Sequence, residues 1–448
     1  MGESQPLIDP ALAAVKQAAL DLGVRAWAVG GYVRDSLLGR PHPDLDVVVE
    51  GGRALELAER FAALTGARKP AVFPRFGTAQ VKWSGRLVDF ASARLESYPP
   101  NSRKPEVRPA SIEADLERRD FTVNTILMDL DGRIQDPLGG RADLERRLLR
   151  TPRPPEQTFA DDPLRMLRAV RFASQLGFDL DPSIMPAMRS QRERARPPVL
   201  SAERVQDELR KMMVSERPGL ALRLLDEGGL VEVLLPELQA CHGVQQGGWH
   251  THDVFWHIVE TVEHTAPDLV LRLAALFHDV GKPVTATPEG AFTGHDRVGA
   301  ELTRTAMSRL RFSNAEIERV GKLVQMHLRP VFYQPGEWGD GAVRKLARDA
   351  GDLLWTLMAL ARADIAASAY PHAEKLDDLE ARLRGVLEER PTRLHLPVSG
   401  EDIMRVRGLG PGPEVGLIKE RLESLVMEGS LPPDRDAILE YIAAHPSL

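Results

Sequence analysis

Val29-Gly30-Gly31-Tyr32-Val33-Arg34-Asp35-Ser36-Leu37-Leu38-Gly39 is followed, five residues on, by Asp44-Leu45-Asp46-Val47-Val48-Val49. The first stretch leaves a short apolar strand and opens a helix. The second begins a β-branched strand with two aspartates. Residues two apart on a strand point to the same face, so both carboxylates meet at one spot. Two anions held that close repel unless a divalent cation lies between them, and Mg²⁺ is the usual partner of such oxygen ligands. A third carboxylate on a neighbouring strand completes the set, and Asp89 in Arg86-Leu87-Val88-Asp89-Phe90 suits that place. Gly30 and Gly31 let backbone N–H groups approach an anion at a helix start, and Arg34 can fork onto a phosphate.

Working outward, residues 24–150 hold short strand-like runs: Ala26 to Val29, Leu45 to Val49, Thr78 to Trp83, Leu87 to Ala91 and Ile126 to Leu130. Helical stretches lie between them, which predicts a mixed sheet with helices on its faces. After about residue 157 the periodicity is almost wholly helical, as in Leu164 to Leu176, Ala202 to Met213, Leu220 to Leu235, Leu269 to Asp279 and Leu353 to Ala366. The fold class expected is therefore α+β, a sheet-containing head followed by an all-α body. Four parts are expected: a head at 1–150, a helical neck at 151–240, a third region at 241–370 and a helical tail at 371–448. No Gly-x-x-x-x-Gly-Lys phosphate loop occurs.

The chain has 448 residues, with 58 Lys and Arg against 65 Asp and Glu, a net charge of −7. On its own that balance argues against nucleic acid. By segment it reads differently: −3 over 1–50, +6 over 51–200, −7 over 201–300, +3 over 301–350 and −6 over 351–448. The basic part coincides with the head and neck. The lone cysteine, Cys241, excludes an internal disulfide and a Cys-x-x-Cys metal site. No apolar run is long enough to span a bilayer, and Met1 to Pro10 has no apolar leader core, so a cytoplasmic protein without a membrane partner is expected.

Gly30 to Asp46 resembles the signature of class II tRNA nucleotidyltransferases (CCA-adding enzymes) and bacterial poly(A) polymerases. Three more blocks continue the resemblance: Asp115-Leu116-Glu117-Arg118-Arg119-Asp120-Phe121-Thr122-Val123-Asn124, Asp136-Pro137-Leu138-Gly139-Gly140, and Asp161 to Phe172. One departure is Asp161, where the family usually carries Glu. The resemblance implies a polymerase-β-like head, CTP and/or ATP as substrates and a tRNA 3′ end as acceptor. It also places Gly30, Gly31, Asp120, Arg168 and Arg171 near the nucleotide.

The chemistry follows from the residues as well. A triphosphate and an RNA 3′-hydroxyl need their charge neutralised and their oxygens placed in line, a task for metal held on Asp44 and Asp46. Arg34 and Arg119 are expected to hold phosphates and Asn124 to contact the ribose. Telling C and A from U and G needs an acceptor for the exocyclic amine and a donor for the adjacent ring nitrogen. Asp162 and Arg165, three apart on an expected helix, would form such an edge.

A second cluster comprises His257, His278-Asp279-Val280-Gly281-Lys282, Gly294-His295-Asp296, His327 and Arg362-Ala363-Asp364-Ile365. It resembles an HD-type metal-dependent phosphohydrolase domain. The resemblance makes His257, His278, Asp279 and Asp364 core ligands, with His295 and His327 as additional ones, and imidazole with carboxylate suits a divalent transition metal. His250, His252 and His264 are neighbours without a role. In the tail, Ser399 to Met404 and Gly408 to Gly416 read either as a helix entry or as glycines approaching an RNA backbone.

Three functions remain open at this point. The leading one is addition of all or part of the 3′ CCA to tRNA. A poly(A) polymerase is the second, and a hydrolase with an RNA-binding head is the third. The choice between CCA, CC and A addition is expected to rest on the loop Ser97 to Ala110 and on the neck.

Overall fold

The opening motif folds as β1 (Ala26–Ala28), the helix Gly31–Leu37 and β2 (Leu45–Val49). Gly30 turns the strand into the helix at φ 73° and ψ −140°, a conformation that a Cβ disfavours. The structure, a computed structural model, describes residues 9–41, 44–97, 106–247, 252–369, 373–388, 396–427 and 431–446. Contacts divide the chain into two units, Met1–Pro236 and Glu237–Leu448.

The first unit holds β3 (Ala71–Phe73), β4 (Thr78–Trp83), β5 (Arg86–Ser92), β6 (Arg94–Ser97), β7 (Glu106–Pro109), β8 (Leu127–Asp129) and β9 (Ile134–Gln135). Seven strands form one sheet in the order β3-β4-β5-β2-β1-β8-β9. Its β2–β5 pair is parallel and the other neighbours are antiparallel, so the sheet is mixed as expected. In register, Asp46 stands opposite Asp89 and Val48 opposite Ala91.

One sheet face is closed by the helix Ala54–Thr65. Its Ala54, Leu57, Ala58, Phe61 and Ala62 recur at helical spacing and are buried, and Gly66 ends it in the left-handed conformation. Phe61 packs on Phe90 of β5, with ring centroids 5.5 Å apart. Because side chains alternate, Val88 and Phe90 enter this core while Asp89 and Ala91 stand half-buried on the opposite face. The carboxylates are thus fixed by a strand pair anchored from behind.

Gly140 locks the next element. The Asp136 carboxylate accepts the N–H groups of Gly140 (2.8 Å) and Arg141 (2.9 Å) at the start of the helix Gly140–Glu145. A Cβ on Gly140 would lie 2.2 Å from the carbonyl oxygen of Thr122, in the single 3-10 turn Thr122–Asn124 that carries Asn124. Gly140→Ala is expected to destabilise the protein by about 1–3 kcal/mol, as overpacking does. A lowered Tm with slowed nucleotide addition is the expected result; an unchanged Tm would contradict this packing.

Apart from a short parallel pair, Leu148–Leu149 beside Asp179–Leu180, the rest is helical. The long helix expected over Leu220 to Leu235 is divided into Pro218–Glu227 and Leu230–Leu234, because Gly229 takes φ 70° while the apolar stripe continues across the break. The expected loop Ser97 to Ala110 begins and ends in strand: β6 and β7 pair antiparallel, Ser97 facing Glu106. Residues 98–105 lie outside the described part, as does His250. The tail helices Gly400–Arg407, Pro413–Met427 and Arg435–Ala444 share a core of Ile403, Ile418, Leu422, Ile438 and Ile442. Ser399 and Asp402 form a reciprocal capping box, so this segment is a helix entry. Among the described residues, no helix is long and apolar enough to cross a membrane.

Candidate active site and metal centre

In the first unit a cleft of about 540 Å³ opens on the front of the sheet. Asp46 and Asp89 line it on one side, with Gly30 and Gly31 at its floor. Gly30 is required here by space as well as by φ: a Cβ would stand 3.2 Å from Asp46 Oδ2. Asp89 accepts a hydrogen bond from Gln80 Nε2 at 2.8 Å. Burial, joined by the charge of Asp44 and opposed by the Gln80 amide, raises its carboxyl above the ordinary value. Asp44 accepts the backbone N–H of Leu87 at 3.1 Å. This crowding of carboxylates, with no cation of the protein bonded to Asp89 among the described contacts, fits a divalent metal held by oxygen ligands.

The other wall is arginine-rich, and nearly every guanidinium is held by a carboxylate or a carbonyl. Buried Asp115 takes Arg119 through Nε (3.2 Å) and Nη2 (3.0 Å), and Arg118 through Nη2 (2.5 Å). Burial opposes its charge, yet the two arginines keep its carboxyl below the ordinary range. Arg119 Nη1 then points at the cleft floor, 3.9 Å from where a Gly30 Cβ would be.

Asp120 accepts Arg168 through Nε (2.8 Å) and Nη2 (2.5 Å), and the Asn124 amide at 3.0 Å. Although burial works against the anion, Arg168 and Asn124 hold this carboxyl far below the usual carboxylate value. Arg34 donates twice to Asp35 (2.7 and 2.9 Å) and once to Asn124 Oδ1 (2.9 Å). Its expected phosphate fork is therefore directed here at Asp35 and Asn124. Arg171 is paired with buried Glu208 at 2.6 Å. The guanidiniums of Arg34, Arg168 and Arg171 all surround the Phe172 ring, 5.0, 5.3 and 4.1 Å from its centroid.

Asp162 does not lie on a helix. It sits extended, at φ −142° and ψ 105°, between the helices Pro155–Asp161 and Leu164–Leu176, because Pro163 disfavours the helical conformation before it. Its Oδ2 accepts Arg204 Nη2 at 2.8 Å. Arg165 donates to the carbonyls of Thr158 (3.2 Å) and Arg118 (2.5 Å). Both side chains line the cleft, yet the structure does not bond them to each other. Asp161 lies aside, paired with Arg153.

In the second unit the histidine and aspartate cluster is assembled from five helices and their ends. His278 Nδ1 donates to the carbonyl of Ala275 (2.8 Å), His295 Nδ1 to Phe292 (2.8 Å) and His327 Nδ1 to Val324 (2.6 Å). A ring whose Nδ1 carries the proton presents an Nε2 lone pair. The Nε2 atoms of all four rings converge: His278 Nε2 lies 3.3 Å from His257 Nε2, and His295 Nε2 lies 3.3 Å from His327 Nε2. Asp279 stands between the pairs, Oδ2 3.2 Å from His278 Nε2 and Oδ1 3.3 Å from His295 Nε2. Asp364 Oδ1 lies 2.9 Å from His257 Nε2.

Burial, with His278 and His295 nearby, pushes His327 down to about 4, so it is neutral at neutral pH. Two sets of three ligand atoms lie within 4.8 Å of one another, His257-His278-Asp279 and Asp279-His295-His327. Facing lone pairs around a carboxylate fit bound divalent cations. Among the described residues the head carboxylates form no set that tight.

Family models match segments of both units. Residues 26–150 match the "Poly A polymerase head domain", 177–241 the "Probable RNA and SrmB- binding site of polymerase A", and 250–382 the "HD domain". An A-adding tRNA nucleotidyltransferase of Deinococcus radiodurans is 36% identical over 89% of this chain and 90% of its own. A CC-adding tRNA nucleotidyltransferase of Thermus thermophilus is 37% identical over 92% of each. The chain belongs to the tRNA nucleotidyltransferase family. The solved Bacillus stearothermophilus CCA-adding enzyme in complex with CTP matches with a TM-score of 0.68 and 25% identity, over 98% of both chains. A tRNA nucleotidyltransferase complexed with a primer tRNA and an incoming ATP analog matches at 0.56 and 26%, over 84% of this chain and 99% of that one.

For this nucleotidyltransferase the structure adds residues that sequence reasoning did not assign. Asp115 aims Arg119. Phe172 gathers three arginines. Arg204 holds Asp162 from 42 residues away, a distance no motif signals. Lys282 donates to Asp279 Oδ2 (2.5 Å) and Gln246 Oε1 (2.6 Å); it stood inside the quoted His-Asp block without a role.

Proposed function

We propose that the cleft of the first unit adds all or part of the 3′-terminal CCA to tRNA, from CTP and/or ATP, releasing pyrophosphate without a nucleic-acid template. The observation that carries this is the pairing of Asp46 with Asp89 on one strand ladder, facing a wall of arginines. Asp44, Asp46 and Asp89 would hold Mg²⁺, which when bound neutralises triphosphate charge and brings the attacking and leaving oxygens into line.

Arg119, held from behind by Asp115, takes the triphosphate, and Arg34 joins it when the nucleotide draws it from Asp35. Asn124, fixed between Arg34 and Asp120, meets the ribose. Asp162 and Arg165 read the base: the carboxylate accepts the exocyclic amine of C or A, and the guanidinium donates to the ring acceptor beside it. Their present partners, Arg204 and two backbone carbonyls, give way to the base. Arg168, Arg171 and Asp120 keep this wall in place around Phe172. Residues 1–150 act as head, 151–240 as neck, 241–370 as metal domain and 371–448 as tail, in a cytoplasmic setting.

Single-nucleotide incorporation tests the reading. tRNAs ending at the discriminator base, at C and at CC, each offered one of the four nucleoside triphosphates, are expected to accept C, A or both in the CCA order. Incorporation of U or G as readily as C and A would overturn the base-reading pair, and a long A-tail would point to a poly(A) polymerase.

The histidine site is proposed to hold divalent transition metal on His257, His278, Asp279, His295, His327 and Asp364, supplying phosphoester hydrolysis chemistry apart from the cleft. Asp279→Asn is expected to weaken metal retention at least about 100-fold, since one carboxylate serves both ligand sets. Metal content by plasma mass spectrometry checks this, with nucleotide addition unchanged. Equal metal content in the variant would contradict the ligand assignment.

A further inference from the structure

The sheet edge beyond the cleft carries an aromatic and basic surface that the roles above leave unused. Residues 60–88 contain six basic side chains and no acidic one. Arg60 and Arg86 are paired with Asp21 and Asp9. Arg68, Lys69 and Arg75 make no ion pair among the described contacts, and each is exposed. All of β3 is exposed, Phe73 at 51%, followed by Phe76 at 39% with the Arg75 guanidinium 5.9 Å from its ring centroid.

The ladder gives this edge a direction. Residues paired across a ladder share a face. Phe73 pairs with Thr78 and Thr78 with Ala91, while Ala71 pairs with Gln80 and Gln80 with Asp89. Phe73 therefore projects from the face that carries Asp89 and Asp46. It stands two strand spacings from cleft-lining Ala91, about 10 Å, the length of about three stacked nucleotides.

We propose that β3 and the turn after it hold the unpaired 3′ end of the RNA acceptor. Phe73 stacks under a base upstream of the attacking ribose, while Lys69 and Arg75 meet its phosphates. An exposed ring among unpaired cations fits single-stranded nucleic acid, because every base has a π-face and every linkage a negative charge. This proposal rests on the reading of the cleft as the nucleotidyl-transfer centre.

The test compares wild type, Phe73→Ala, Phe73→Trp and Arg75→Ala on a tRNA ending at the discriminator base. Phe73→Ala is expected to raise KM for tRNA about 5-fold or more, the worth of one stacked base, leaving KM for CTP and ATP unchanged. Phe73→Trp restores tRNA KM. Arg75→Ala lowers the slope of log affinity against log salt by about one. An unchanged tRNA KM in Phe73→Ala overturns the proposal. So does a change in its sedimentation with tRNA KM unaltered, which would assign the edge to a second copy of the chain. A wild-type protein that adds no nucleotide would instead overturn the reading of the cleft.

Discussion

Asp46→Asn is expected to lower nucleotide addition by about 10³-fold while leaving the fold intact. The change keeps volume and removes one charge from the half-buried carboxylates that line one side of the cleft. The hold of Asp115 on Arg119 is left unchanged, so the wall that would receive the triphosphate stays in place. CTP binding by equilibrium dialysis should fall far less than the single-turnover rate. A pattern of lost rate and retained binding marks a group whose interaction grows in the transition state. A rate within tenfold of wild type would show that Asp46 is not part of the reacting centre.

The second large effect concerns stability. Asp120→Ala removes the partner of Arg168 and one anchor of Asn124 in a single step. Breaking a buried pair costs about 3–5 kcal/mol, and about 3 is expected here because Arg168 keeps 34% of its side chain in solvent. The pH dependence has a definite sign. The folded carboxyl is held below the unfolded value near 3.8. Its contribution is therefore fully present above that value and is lost as the pH falls through the folded one. The gap in denaturant midpoint between wild type and Asp120→Ala should be constant from pH 8 to about pH 5 and close below about pH 4. A gap that persisted in acid would assign the effect to packing.

Much of the head was legible because its chemistry lies in local spacing. Asp44 and Asp46 two apart on a β-branched strand, and glycines at a strand-to-helix turn, depend only on neighbours in sequence. The helices Leu164–Leu176 and Ala202–Met213 have the bounds that periodicity predicts. What escaped depends on contacts across the chain or on backbone chemistry that periodicity does not register. Asp162 falls out of its expected helix because of one proline. The Gly228-Gly229 break leaves the apolar stripe intact. β3 is too short and too exposed to alternate. The carboxylates of Asp115 and Glu208, which hold Arg119 and Arg171, look like ordinary helix acids until the fold brings them together. In the second unit the histidines and aspartates were visible as residue types. The shared use of Asp279 by two histidine pairs is a matter of geometry alone.

The whole-chain charge of −7 was the least informative number, because it averages an arginine-rich cleft with an acidic remainder. The cleft itself mixes signs, carboxylates on the ladder and guanidiniums opposite. That division suits a metal-bound triphosphate better than a uniformly basic surface would.

The most direct measurement is the pyrophosphate released per tRNA when tRNA lacking its CCA end is incubated with Mg²⁺, CTP and ATP. A cleft that completes all or part of that end should release one pyrophosphate per nucleotide added and stop at three or fewer per tRNA, with Asp46→Asn releasing essentially none. Continued release beyond three, or release undiminished in Asp46→Asn, would contradict the account.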